Sequence, residues 1–222
     1  MADYFINKTS DDNFLIHKGG KQTIVHYWKK TKVNWTQPVL TSDTTGTSEG
    51  NIQINASSLY NRAANNYAHN PFRGFQYNTY WSWIPSYASA WWQVKFPYTL
   101  YITGIQVYTS ILRTYSGGGS SSYTTVSGRF YTSSSKNTPI GNSFTTSKTS
   151  GQTITTVGGI SSSGIATSLI YFAKTGGEQY GGLGHIVITA KRDGPVVEGT
   201  SSDYDYTTTE TVQVYEIDKE TT

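Results

Sequence analysis

The sequence predicts an all-β sandwich, and three observations support this fold class. Apolar residues alternate with polar ones in many short runs, as they do in strands that bury one face. Glycine, serine, threonine and asparagine separate these runs and mark turns. Helical periodicity is nearly absent, and the best helical candidate is the short stretch Ser57–Ala68. A chain of 222 residues with this pattern suits one large β domain with a short additional segment.

Eight strands are predicted from the alternation. In chain order they are Asn51–Asn55, Trp91–Phe96, Tyr101–Tyr108, Arg129–Ser133, Thr153–Val157, Ser168–Lys174, His185–Lys191 and Thr211–Ile217. Within HIVITAK, Ile186 and Ile188 fall on one face, whereas Val187 and Thr189 fall on the other. This separation predicts that the strand buries only one of its faces.

Three stretches between strands are predicted to be long loops: Ser116–Ser122, Gly158–Gly164 and Lys191–Thr209. The first reads SGGGSSS and has the composition of a flexible segment. Loops of this length are uncommon inside a compact domain unless they carry a function or are disordered. They are therefore places to look for binding residues.

Residues 1–33 differ in character from the rest. They are polar, with two small apolar clusters at Phe14–Ile16 and Ile24–Val25. A segment this short cannot bury such clusters alone, so we expect it to pack onto the main domain or onto copies of itself. The predicted division is an attachment segment over residues 1–33 and a β-sandwich domain over residues 34–222.

Composition and charge bear on the class of function. Charged residues make up 14% of the chain and aromatic residues another 14%, whereas average proteins carry about 25% charged residues. Hydroxyl and amide groups must therefore make most of the surface polar, which is typical of a binding or virion surface. The net charge is +3 and no basic stripe is present, so a nucleic-acid partner is not expected.

The chain has features of a protein that folds in a reducing cytosol. It contains no cysteine, and its first residues, MADYFINKTSDDN, include no apolar signal region. It has no run of about 18 apolar residues, so a membrane span is not expected.

Catalytic motifs are missing from the sequence. No HExxH, CxxC, GxSxG or phosphate-binding loop occurs, and we interpret His185 as structural or solvated. Asp203 and Asp205 could form a glycosidase acid pair or a weak calcium loop, but they lie in a Ser/Tyr/Thr-rich stretch that lacks rigid flanks. We therefore expect no enzyme activity, catalytic residue, metal ligand or cofactor, with a polysaccharide depolymerase as an alternative.

Two adjacent tryptophans, Trp91 and Trp92, open a predicted strand. Because neighbours in a strand point to opposite faces, Trp92 shares a face with Val94 and Trp91 shares the other with Gln93. We expect one indole to fill the core and the other to pack under a loop or at a subunit contact. Both are interpreted as mainly structural.

The best candidate for ligand binding is the aromatic stretch Phe72–Tyr87, FRGFQYNTYWSWIPSY. Aromatic faces pack on the apolar faces of sugar rings, while amides and arginine reach the hydroxyls. A second group flanks the glycine run, and a third lies in GGEQYGGLG. The candidate ligand-binding residues are Arg73, Tyr77, Tyr80, Trp83, Tyr87, Arg113, Tyr115 and Tyr180.

Three elements occur in an order that resembles the discoidin-like (coagulation-factor type C) family: Trp81-Ser82, WWQV at Trp91–Val94 and ITGIQV at Ile102–Val107. The resemblance covers residues 38–191. It implies a jelly-roll β-sandwich of about eight strands, loops at one end that hold glycans or lipids, and a core position for Trp81. The family often has an F-D-G-N element that helps to hold a cation. Here the region reads AHNPFRGFQYNTYW, without an acid, so a calcium site is not expected.

A second, shorter resemblance covers residues 7–25. An S-D-D element, a small apolar cluster and a G-G-K element occur in this order, which is similar to shaft repeats of phage tail and head fibres. Such repeats usually wrap as trimers. This implies that three copies bury Phe14–Ile16 together.

These features together predict a virion protein: a phage fibre or receptor-binding protein, homotrimeric, that recognises a bacterial surface glycan. Residues 1–33 would attach it to other virion proteins. Two alternatives stay open. One is a structural capsid or tail decoration protein, and the other is a bacterial carbohydrate-binding module.

Overall fold

The structure, a computed structural model, describes residues 28–60, 67–73, 82–114, 120–148 and 153–198. In these ranges the regular structure is eleven strands and one short 3-10 helix, Asn70–Phe72. The strands are β1 (Trp28–Asn34), β2 (Thr44–Thr47), β3 (Gly50–Ala56), β4 (Trp91–Tyr108), β5 (Ser110–Thr114), β6 (Ser120–Thr124), β7 (Val126–Tyr131), β8 (Pro139–Thr145), β9 (Ile154–Thr156), β10 (Ile165–Gly177) and β11 (Ile186–Glu198). The predicted all-β fold class is confirmed.

The chain divides into two compact units. One consists of residues 34–192, and the other combines residues 1–33 with residues 193–222. Of the latter, the structure describes residues 28–33 and 193–198, which belong to the neighbouring strands β1 and β11. The predicted division into residues 1–33 and 34–222 stays a prediction.

The long strand β4 connects the two layers of the sandwich. Its first part, residues 91–96, pairs with β3 on one side and with β10 on the other. Its second part, residues 100–108, pairs with β11 on one side, and on the other side with the start of β10 at residues 100–102 and with β9 at residues 106–108. The first layer continues from β10 to β7 and β8, all antiparallel. The two strands predicted at Trp91–Phe96 and Tyr101–Tyr108 are therefore one strand, and Pro97 lies inside it rather than between strands.

Burial along β4 confirms how the two tryptophans are oriented. Trp92 and Val94 are fully buried in the single core cluster, whereas Trp91 and Gln93 are half-buried on the opposite face. Farther along, the inward positions shift from even to odd numbers, from Ile102 to Ile105. A bulge at Thr103 causes the shift, because the ladder with β11 pairs Ile102 with Ala190 and Gly104 with Thr189.

Two predicted loops are partly strands. Ser120–Thr124 pairs with Ser110–Thr114 as a hairpin. The last three residues of the predicted loop Ser116–Ser122 therefore belong to a strand, and the prediction of a loop there was wrong. Strand β11 runs on to Glu198 and replaces the first part of the loop predicted over Lys191–Thr209. A serine-rich stretch can pair as a strand because its neighbour in the fold supplies the hydrogen-bond partners. Strands β1, β2, β5, β6 and β8 were not predicted.

Other predictions agree with the structure or lie beyond it. Gly158–Gly164 connects β9 to β10 without strand pairing, as predicted, and Gly159 and Gly164 have positive φ. In β11, Ile186 and Ile188 are buried whereas Thr189 is exposed, which confirms the predicted faces. The predicted strand Thr211–Ile217 lies outside the described residues, as do residues 61–66 of the helical candidate Ser57–Ala68. The described ends of that candidate, residues 57–60 and 67–68, are not helical.

Candidate functional site

The candidate site is built on two irregular segments: residues 57–59, which follow β3, and residues 86–91, which lead into β4. Hydrogen bonds join the two segments. The Ser57 N–H donates to the Trp91 carbonyl and the Trp91 N–H donates to Ser57 Oγ, at 2.9 and 3.0 Å. The Ser86 N–H donates to Ser58 Oγ at 3.0 Å. Ser86 Oγ donates to the Leu59 carbonyl, also at 3.0 Å. Two irregular segments are thus held as one frame at the end of the first layer.

This frame borders an open pocket of about 560 Å³. We call it the serine–tyrosine pocket. The described residues that line it are Ser57, Ser58, Leu59, Tyr67, Ser86 and Tyr87. Tyr87 is 65% exposed; Ser57 is also exposed, whereas Leu59 is half-buried. The pocket therefore offers two aromatic rings, hydroxyl groups and one aliphatic side chain.

The serine hydroxyls in the frame keep capacity for a ligand. A hydroxyl donates one hydrogen bond and accepts two. In the bonds described, Ser57 and Ser58 accept through Oγ, so their hydroxyl hydrogens can point to a ligand oxygen. Ser86 uses its hydrogen on the Leu59 carbonyl and can accept from a ligand hydroxyl. The three groups together present both donors and acceptors.

Tyr67 is positioned by a turn that the core holds. The Trp92 indole N–H donates to the Ala68 carbonyl at 2.7 Å. Asp43 Oδ1 accepts from the His69 N–H at 3.1 Å and lies 2.7 Å from His69 Nδ1. The Tyr67 ring lies against the His69 ring, with centroids 5.6 Å apart. These contacts hold Tyr67 in place at the pocket.

Two further tyrosines meet beside this frame. Tyr60 follows Leu59 in the chain, and its ring lies 4.5 Å from the ring of Tyr180. Tyr180 is half-buried and ends the turn that follows β10. Lys174 holds this turn, because its Nζ donates to the carbonyls of Glu178 and Gln179 at 2.6 and 2.9 Å.

The predicted site residues separate into three groups. Tyr87 lines the pocket, whereas Arg73, at the end of the 3-10 helix, and Tyr180 are half-buried and not among its described lining residues. Arg113 lies on β5, but its side chain is outside the described part. Tyr77, Tyr80 and Tyr115 lie outside the described residues altogether. Their roles stay predictions.

The prediction that Trp83 faces a ligand is wrong. Its side chain is fully buried, and it packs edge-on against Phe172 in the core at 6.3 Å. The indole N–H donates to the Ser58 carbonyl at 3.0 Å, and the backbone of Trp83 bridges to Leu183. Trp83 therefore holds Ser58, which lines the pocket, against the core. An indole that sits between two layers and has a satisfied N–H is a core residue.

Sequence reasoning missed most of the pocket. Ser57, Ser58, Leu59 and Tyr67 fell in the stretch interpreted as a short helix, and Ser86 attracted no attention beside the aromatic residues. Only the aromatic density near Tyr87 signalled the site. Serines carry no distinctive spacing, so their role depends on the fold.

Among the described residues, no group of three or more His, Cys, Asp or Glu side chains is placed to hold a metal ion. His185 Nδ1 lies 3.0 Å from the Pro71 carbonyl. Burial lowers the pKa of His185, and this hydrogen bond acts in the opposite direction. In the same ranges, no helix is long and apolar enough to cross a membrane.

Lys174 predicts a pH dependence of stability. Burial lowers its pKa to about 8, while the Glu178 carboxylate acts in the opposite direction. The unfolded side chain titrates near about 10.4, so between these values the unfolded chain binds more protons than the folded chain. The free energy of unfolding contributed by this group should therefore rise with pH across that window. Urea denaturation at about pH 7.5 to 9.5 should show wild type gaining stability relative to Lys174→Met. A constant difference would contradict the assignment.

The chain is similar to solved structures that share little sequence with it. No protein-family model matches the sequence, and no curated protein matches it. Among solved structures, the chain is similar to the F5/8 type C domain of a Bacteroides fragilis protein, with a TM-score of 0.43 and 14% identity over 68% of this chain and 97% of that one. It is also similar to a fucolectin from striped bass (Morone saxatilis) serum, with a TM-score of 0.43 and 15% identity over 64% of this chain and 45% of that one. At these TM-scores the likeness carries no argument about ligand or activity.

Proposed function

We propose that the unit of residues 34–192 binds a saccharide in the serine–tyrosine pocket and does no chemistry on it. The observation that carries the proposal is the exposed ring of Tyr87 beside three serine hydroxyls on a hydrogen-bonded frame. Sugar rings need an apolar surface on one face and hydrogen-bonding groups at their edges. The pocket supplies both.

The size of the pocket fits this ligand class. Small-molecule sites usually measure about 300–1,000 Å³, and this pocket measures about 560 Å³. That volume accommodates one or two sugar rings. Because Trp83 and Trp92 anchor the frame to the core, little ordering should be needed when the ligand binds.

As the biological setting we favour a phage fibre that recognises a bacterial surface glycan. The shaft-like elements in residues 7–25 and the absence of cysteine support this part of the proposal. Several copies that engage one surface would turn weak single-site contacts into firm attachment. A homotrimer, a place in the virion and attachment through residues 1–33 belong to the same proposal.

The test is a binding measurement with three tyrosine variants. The full chain is screened on a bacterial glycan array and on whole host cells, with its mass in solution measured on the same sample. Tyr87→Ala should weaken binding about tenfold, because it removes a ring whose stacking on the sugar contributes about 1 kcal/mol or more to the binding free energy. Tyr87→Phe should bind nearly as wild type, since the ring face is kept.

Tyr101→Ala is the matched control, because Tyr101 is a half-buried tyrosine in the second part of β4 that is not among the described lining residues of the pocket. It should bind the glycan as wild type does. If Tyr87→Ala and Tyr101→Ala both keep full affinity, the pocket is not the site. If the chain binds no glycan and no cell, a structural virion role replaces the proposal.

A further inference from the structure

The outer face of the first layer brings together residues from four strands. On β3, β4, β10 and β7, alternate side chains point into the core and the others point away from it. The register pairs Asn55 with Gln93, Gln93 with Tyr171, and Tyr171 with Tyr131. These four residues therefore form one row across the sheet, with neighbouring strands about 4.8 Å apart.

An aromatic pair joins this row to the residue two positions before Gln93 on β4. The indole of Trp91 stacks on Tyr171, with centroids 5.8 Å apart and an interplanar angle of 24°. Tyr171 is only 7% exposed, although it is not a member of the core cluster. Its cover must therefore come from the outer face, where Trp91 lies over it. Trp91 itself is half-buried, so part of its side chain is accessible to solvent.

Two cations flank the aromatic pair, and no acid does. Lys95 is exposed on β4 opposite Leu169, and Arg129 is half-buried on β7 opposite Ala173. Arg129 donates through Nε to the Gly141 carbonyl at 2.9 Å, which orients its guanidinium. Two strand spacings and four residues separate the cations, or about 16 Å between their Cα atoms. Among the described outward side chains of these four strands, none is acidic.

We propose that this face is a second binding surface, and that its ligand is an extended acidic polysaccharide. The residues of this sheet platform are Asn55, Trp91, Gln93, Lys95, Arg129, Tyr131 and Tyr171. The Trp91 ring packs on a sugar ring, the amides of Asn55 and Gln93 reach hydroxyls, and Lys95 and Arg129 pair with carboxylate or phosphate groups on either side. Arginine held in a fixed orientation suits such groups, because its guanidinium can bind two of their oxygens at once.

The sheet platform is distinct from the serine–tyrosine pocket in residues and in ligand charge. The described lining of the pocket contains no cation, whereas the platform has two. Tyr87→Ala should therefore leave the binding of acidic polysaccharide unchanged. This independence separates a failure of one proposal from a failure of the other.

The test uses the full chain and defined polymers. Binding to polygalacturonate and alginate is compared with binding to neutral dextran by biolayer interferometry, in low and in physiological salt. We expect retention on the two acidic polymers, weakened by salt, and none on dextran. Lys95→Gln and Trp91→Ala should each weaken binding severalfold. The double variant Lys95→Gln/Arg129→Gln should weaken it about tenfold or more.

Lys191→Gln is the matched control for charge, because Lys191 is an exposed lysine on β11 in the other layer. It should bind as wild type does. Equal losses in Lys191→Gln and Lys95→Gln would show unspecific attraction and overturn the proposal. So would retention on dextran, absence of binding to both acidic polymers, or binding of a single-stranded oligonucleotide instead of them. If Trp91→Ala proves unstable, Lys95→Gln and the double variant test the proposal. Trp91→Tyr, which keeps a ring, should then retain most of the binding.

Discussion

Replacing Trp92 by alanine is expected to lower the free energy of unfolding by about 3–5 kcal/mol. Its side chain is fully buried and stacks on Phe72 at 6.0 Å. Its indole N–H donates to the Ala68 carbonyl, which the substitution would leave without this donor. Chemical denaturation followed by circular dichroism measures the loss.

The neighbouring substitution provides the matched control. Trp91→Ala should lower the free energy of unfolding by less than about 1.5 kcal/mol. Trp91 is half-buried, and its ring stacks on Tyr171 on the outer face of the sheet and not in the core. The two variants remove the same side chain from adjacent positions, so their difference measures the two faces of the strand. Equal losses would mean that the orientation of the first part of β4 is wrong.

Replacing Gly182 by alanine is expected to lower the free energy of unfolding by about 3 kcal/mol or more. A Cβ at this position would lie only 1.8 Å from the Trp83 carbonyl oxygen, so backbone would have to move. Two backbone hydrogen bonds join Trp83 to Leu183, the next residue, at 2.8 and 3.0 Å. The same denaturation measurement applies.

Gly46→Ala is the control for Gly182→Ala. A Cβ at Gly46 would meet nothing nearer than Asn51 Oδ1 at 3.6 Å, so its effect should stay within about 1 kcal/mol. Because Trp83 holds the Ser58 carbonyl, Gly182→Ala should also weaken saccharide binding at the pocket. If Gly182→Ala is as stable as wild type, the close approach of these two segments is not present in solution.

Local alternation was enough to predict the fold class and the faces of two strands, the first part of β4 and β11. It placed Trp92 with Val94 inward and Ile186 with Ile188 inward, because the side-chain period of two is a property of each strand alone. The density of aromatic residues drew attention to Tyr87. The same density led to the wrong prediction for Trp83, because it does not distinguish a ring on the surface from a ring between two layers.

The bulge at Thr103 and the continuity of β4 through Pro97 escaped sequence reasoning. A bulge is defined by the partner strand, here the pairing of Gly104 with Thr189 and of Ile102 with Ala190. Proline within a run usually indicates the end of a strand or an edge. In β4 it lies where the strand passes from one layer to the other, so no ladder hydrogen bond is demanded of it there.

The sequence by itself thus determined an all-β chain with an aromatic, hydroxyl-rich surface, since composition and alternation are local properties. Only the tertiary structure decided which residues meet. The serine–tyrosine pocket joins Ser58 to Ser86, and the sheet platform joins Trp91 to Tyr171, through hydrogen bonds and strand register between distant parts of the chain. Register depends on how the whole core packs, because each strand is held by the partners on both sides of it. No short stretch of sequence contains that information.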